Sequence, residues 1–105
     1  MLKIIYNYGD FIMKIKEFND FFENKYETKI RLTVDSEHLF ICTNIVLSSC
    51  YIENNELMLE DIDIINVYEF KEITSIIHNE FSTGEEPDFE LITSNGVEIS
   101  IALLD

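Results

Sequence analysis

The strongest constraint on this chain is a change of hydrophobic period at Thr28. Upstream, Ile12, Ile15, Phe18, Phe22 and Tyr26 recur at spacings of three and four, with Lys14, Lys16, Glu17, Asp20, Glu23 and Lys25 between them. That spacing puts the apolar residues on one stripe of a helix and predicts an N-terminal amphipathic helix over about 11–26. Asp10 is the expected N-cap, because its carboxylate can accept from the free amides of the first turn, and β-branched Thr28 is the expected far boundary. Downstream the apolar residues alternate with polar ones, the signature of strands buried on one face. A helix followed by such a run predicts an α+β fold: the helix packed on an antiparallel meander of about six to eight short strands over about 29–103. A small barrel closed by the final hairpin is the near alternative.

Loop length fixes which strand residues meet, so each hairpin carries its own expectation. A four-residue loop at 35–38 sets Val34 opposite Leu39 and Leu32 opposite Ile41. A two-residue Asn54-Asn55 turn, which needs positive φ, sets Ile52 opposite Leu57, Cys50 opposite Leu59 and Glu53 opposite Glu56. In the last hairpin a two-residue Asn95-Gly96 loop would mix the faces. A three-residue Ser94-Asn95-Gly96 loop instead pairs Thr93 with Val97, Leu91 with Ile99 and Phe89 with Ile101. Asp63 to Phe70 and Ile73 to His78 read as two further strands, and Asn79 to Pro87 as a long loop.

At 105 residues the chain is read as one domain, 1–105, and its 47% hydrophobic content is too high for a disordered segment. The opening ten residues hold one lysine and an apolar run broken by Asn7 and Asp10, short of a secretory leader, so a cytoplasmic location is expected; Met13 is a second candidate start. The longest uncharged stretch, Leu39 to Ile52, is below the roughly 20 apolar residues of a membrane helix, and no membrane association is expected. Cys42 and Cys50 are read as reduced thiols in core or strand positions.

Charge is the main functional signal. Seven basic against 21 acidic residues give a net charge of -14, which argues against direct binding to nucleic acid or an anionic membrane. The imbalance is concentrated. Residues 1–31 hold six of the bases and five acids, whereas 32–105 hold 16 acids and only Lys71, a net -15. Solubility alone does not require so one-sided a field. Duplex DNA carries a charge per roughly 1.7 Å of axis, so fifteen carboxylates equal about 25 Å of duplex. The expectation is a DNA or RNA mimic: outward acids present a phosphate-like array to the basic groove of a nucleic-acid-binding protein. The expected partner-binding set is Glu53, Glu56, Glu60, Asp61, Asp63, Glu69, Glu72, Glu85, Glu86, Asp88 and Glu90, with Glu80 and Glu98 adding to the field. Small acidic inhibitors of restriction or CRISPR nucleases share this charge and size, although the chain carries no family motif.

Other chemistry fits the residues poorly. The acids at 60–63 and 85–90 lack the alternation, central glycine and closing glutamate of an EF-hand loop. His38, Cys42, Cys50 and His78 lack the close-spaced pairs of a structural zinc site. His38 and Cys42 would lie about 13 Å apart on a strand, too far for a nucleophile and its base. Three isolated glycines make no phosphate loop. No metal, cofactor or enzymatic activity is therefore expected. Two alternatives stand beside mimicry: an immunity or antitoxin-type protein capping a basic toxin through aromatics such as Tyr51, Tyr68 and Phe70, and a structural module that self-associates through edge strands.

Overall fold

The structure is a computed structural model that describes residues 10–62, 66–79 and 86–104. Within them lie β1 (Asp10–Ile12), α1 (Ile15–Phe22), β2 (Lys29–Asp35), β3 (Phe40–Glu53), β4 (Glu56–Asp61), β5 (Asn66–Phe70), β6 (Ile73–Asn79), β7 (Phe89–Thr93) and β8 (Glu98–Leu103). All ladders are antiparallel, in the order β1-β6-β7-β8-β2-β3-β4-β5. The fold is α+β, an antiparallel sheet with one short helix.

The helix is half the expected length and is not the first element. Asp10, expected as its N-cap, instead begins β1, pairing with Asn79, and Lys14 is the N-cap residue. The backbone amide of Lys14 donates to Glu17 Oε1 at 3.0 Å, so Glu17 satisfies the first turn. At the far end Glu27 takes a positive φ of 67° and turns the chain into β2. The expected stripe is only partly used: Phe18 and Phe22 are buried, whereas Ile15 is 37% and Tyr26 62% exposed.

Register follows turn chemistry. Asn54 and Asn55 both hold positive φ (55° and 61°), the mirror-image turn that suits a twisted hairpin, and Ile52 faces Leu57 as the two-residue loop requires. The three-residue loop is also found: Thr93 N donates to Val97 O at 3.0 Å, Gly96 holds φ 87°, and Leu91 faces Ile99. The first hairpin differs. Val34 faces Ile41 rather than Leu39, because Ser36 N bonds Leu39 O and draws the loop one residue along. A shift of two preserves the faces, so Leu32 and Val34 still point inward.

Among the described residues the sheet is open, and its strand order is not that of a plain meander. β5 and β6 are consecutive in sequence but lie at positions eight and two of the sheet, with β1 inserted at the margin beside β6. The final hairpin, β7–β8, lies inside the sheet, whose two ends are β1 and β5.

The inward rows of β2, β3, β4, β6, β7 and β8 form one apolar core with the helix, centred on Phe18, Leu32, Leu59, Phe89, Leu91 and Ile101. Phe89 is its hub: Phe18 meets its ring edge-on at 5.6 Å between centroids, and His78 stacks on it at 4.6 Å. β3 is long enough to serve two ladders. Its first half pairs with β2, its second half with β4, and the register shifts between Leu47 and Ser49. Where β2 has ended, Asn19 of the helix takes its place: Asn19 Nδ2 donates to Ile52 O at 2.9 Å, and Ile52 N donates to Asn19 Oδ1 at 2.7 Å. One side chain thus satisfies both backbone groups of an edge residue, as a neighbouring strand would.

Candidate functional site

Alternation along β3, β4 and β5 builds one outward surface. Leu57 and Leu59 are buried, so Glu56, Met58 and Glu60 share the opposite face. The register places Glu53 beside Glu56, Tyr51 and Glu69 on either side of Met58, and Ser49 and Val67 on either side of Glu60. Directly opposed residues have Cα atoms about 5 Å apart, and Glu56 and Glu60 lie about 13 Å apart along the strand. Four carboxylates, Glu53, Glu56, Glu60 and Glu69, therefore surround an apolar centre of Tyr51, Met58 and Val67, of which Tyr51 and Val67 are exposed. One strand of duplex DNA carries about four charges over the same 13 Å.

Like charges directly opposite destabilise a sheet, and Glu53 and Glu56 are such a pair. Asp35 and Glu98 are another, on the outer face of the β2–β8 ladder. Among the described residues no lysine or arginine forms an ion pair with these acids. Lys16 and Lys25 are engaged elsewhere. Lys16 Nζ bonds Asp20 Oδ2 at 2.8 Å on its own helix, a hydrogen bond that raises the ammonium's pKa, and Lys25 lies 4.4 Å above the Phe21 ring. Ser49 Oγ donates to Glu60 Oε2 at 3.1 Å, which orients that carboxylate without neutralising it.

The remaining expected site residues do not join this face. Asp61 was expected outward but is 6% exposed, because it falls on the inward phase of β4. Glu72 sits in the β5–β6 connection at a positive φ of 59° and accepts from Ser94 Oγ. Asp88 Oδ2 accepts the Leu103 amide at 2.7 Å, and Glu90 Oε2 accepts Asn79 Nδ2 at 2.9 Å, so both brace the loop before β7. Glu86 is exposed in that loop. Asp63, Glu80 and Glu85 lie outside the described residues. Four of the expected acids thus form a compact set on one face, and Glu72, Asp88 and Glu90 hold the chain in place.

Of the aromatics expected to act as anchors, Tyr51 lies on the outer face, whereas Tyr68 and Phe70 pack against the core. The thiols also part company: Cys50 is buried, and burial pushes its pKa well up, whereas Cys42 is exposed. Among the described residues no group of three or more His, Cys, Asp or Glu side chains could hold a metal ion, and no helix is long and apolar enough to cross a membrane.

No protein-family model matches the chain, and no curated protein or solved structure matches it either. What the residues can do must be read from their own geometry.

Two features escaped the alternation pattern. A cavity of about 320 Å³ opens between α1 and β3, lined by Asp20, Glu23, Tyr26, Ser48 and Tyr51 among others. It lies beside the register shift between Leu47 and Ser49 of β3, and no local sequence signal marks it. The other is the edge of the first half of β3, which no strand covers among the described residues and which the uncharged run Leu39 to Ile52 does foreshadow.

Proposed function

We propose that the chain is a small acidic inhibitor that occupies the basic nucleic-acid groove of a partner protein, of the type that restriction or CRISPR nucleases present. The reading rests on one observation: Glu53, Glu56, Glu60 and Glu69 crowd one sheet face at about the charge spacing of a nucleic-acid strand, with no lysine or arginine in an ion pair with them among the described residues. A groove that releases counterions on binding phosphates would do the same on binding these carboxylates. The role is non-catalytic and uses no cofactor. The test is capture of proteins from lysate on the immobilised chain, against the fourfold Glu→Gln variant, with and without DNA or RNA competitor. A nucleic-acid-handling protein that is captured, displaced by competitor and lost with the variant supports the proposal. Capture that is indifferent to both overturns it.

Tyr51 favours a second reading, a cap on a basic toxin through a hot spot. An exposed aromatic inside a ring of charges is the arrangement in which one side chain dominates binding. In that case Tyr51→Ala abolishes capture while single Glu→Gln changes barely alter it.

A further inference from the structure

β3 is covered unequally. Its second half has β4 on one side and Asn19 of the helix on the other. Its first half has β2 on one side and, among the described residues, no strand on the other. Leu39 O accepts from Ser36 N and Leu47 N donates to Thr28 O, so odd-numbered residues here face β2. By antiparallel alternation Phe40, Cys42 and Asn44 turn their N–H and C=O groups toward the open side. Val46 O follows the same phase, accepting from Ile62 N on that side. Natural sheets blunt such edges with charge, proline or a bulge. This edge has none of these: Leu39–Asn44 is uncharged, Leu39 is 53% and Phe40 65% exposed, and Ile41, Cys42 and Asn44 are exposed as well.

We infer that this edge is a self-association site, at which a second copy of the chain adds its own β3 antiparallel about a two-fold axis through Cys42. The edge is complementary to itself. Asp35 sits beside Phe40 and Arg31 beside Asn44, one strand in from the edge. A two-fold antiparallel arrangement sets Phe40 of one copy opposite Asn44 of the other. Each cross-strand row then runs from an acid, Asp35, in one copy to a base, Arg31, in the other. A parallel arrangement would align acid with acid. The same arrangement is isologous, so it closes at two copies. It supplies reciprocal hydrogen bonds at three residue pairs, and it joins two net charges of -14 at the one long segment without charge.

The proposal stands apart from the inhibitor reading, because the two respond to salt in opposite directions. Capture of a basic partner weakens as salt rises, whereas association of two like-charged copies strengthens. The test is sedimentation across protein concentration from about 50 to 500 mM salt. The expected result is a monomer–dimer equilibrium that salt favours. Phe40→Lys, which sets a lysine near Arg31 of the other copy, weakens it at least about tenfold. A second measurement is independent of variant folding. In the dimer the two Cys42 Cα atoms lie about 5.5 Å apart, within disulfide reach. Diamide, taking two electrons and two protons from the paired thiols, then links the copies through Cys42 while Cys50 stays free. A monomer at every concentration, a dimer indifferent to Phe40→Lys, or linkage that survives Cys42→Ser overturns the inference.

Discussion

Replacing Glu56 by lysine should stabilise the protein and weaken its proposed binding together. Glu56 faces Glu53 across the Asn54–Asn55 turn, with no basic ion-pair partner among the described residues. Two carboxylates about 6 Å apart in water repel by roughly 0.7 kcal/mol, reduced to about 0.4 kcal/mol by screening at 0.1 M salt. Reversing one sign turns that repulsion into attraction, a swing of about 0.8 kcal/mol, in the range of measured cross-strand pairs. For a domain of this size the swing is worth about 3–6 °C in Tm. Circular-dichroism melts of both proteins at about 20 and 500 mM salt read the effect, which should shrink toward zero as salt is added. A loss of stability at low salt, or a gain that salt leaves unchanged, would refute the reasoning. No gain at any salt would refute it as well.

Asn19→Ala should cost about 2 kcal/mol in urea unfolding, because it strips partners from both the N–H and C=O of Ile52; a cost below about 0.5 kcal/mol would mean that water replaces the amide. Cys42 should react with a thiol reagent in the native state at neutral pH, and Cys50 only on unfolding; equal rates would contradict its burial. Burial raises the Cys50 pKa from an ordinary value of 9.0, so the unfolded chain loses this proton first as pH rises. The associated stability is complete below about pH 9 and falls by up to about 1.4 kcal/mol per unit above it. A Cys50→Val variant should show a shallower decline over that window, and a matching decline would remove the thiol as its source. Gly96→Ala should cost about 1 kcal/mol, because the positive φ of 87° and not a steric clash is the obstacle, and Gly96→Asn should cost less.

The hairpins were legible where a turn has its own chemistry. Asn54-Asn55 and Ser94-Asn95-Gly96 demand positive φ at set positions, and that demand fixes the pairings up the strands, in β3–β4 as far as the shift between Leu47 and Ser49. Ser36–Leu39 carries no such demand, so its register slid by two while the faces, which the period alone controls, stayed as expected. The helix was overextended because Ile12 and Tyr26 fit its spacing, although neither spacing nor propensity can register that residues 10–12 pair with β6. Sheet order was not legible, because nothing local tells the chain to carry β6 to the far side of the sheet after β5. At the site, the period identified Glu53, Glu56, Glu60 and Glu69 as outward, and it would also have placed Asp61 inward, since it follows Glu60 in the alternation. The bracing roles of Asp88 and Glu90 depend on contacts across the fold that spacing does not encode.

The most direct test of the central claim is the salt dependence of partner binding, measured by titration for the native chain and for the Glu53, Glu56, Glu60 and Glu69→Gln variant. A phosphate-like array predicts that log affinity falls steeply with log salt for the native chain, that the variant's line is markedly flatter, and that a nucleic acid displaces the native chain competitively. Parallel lines for the two proteins, or a ternary complex with bound nucleic acid, would contradict it.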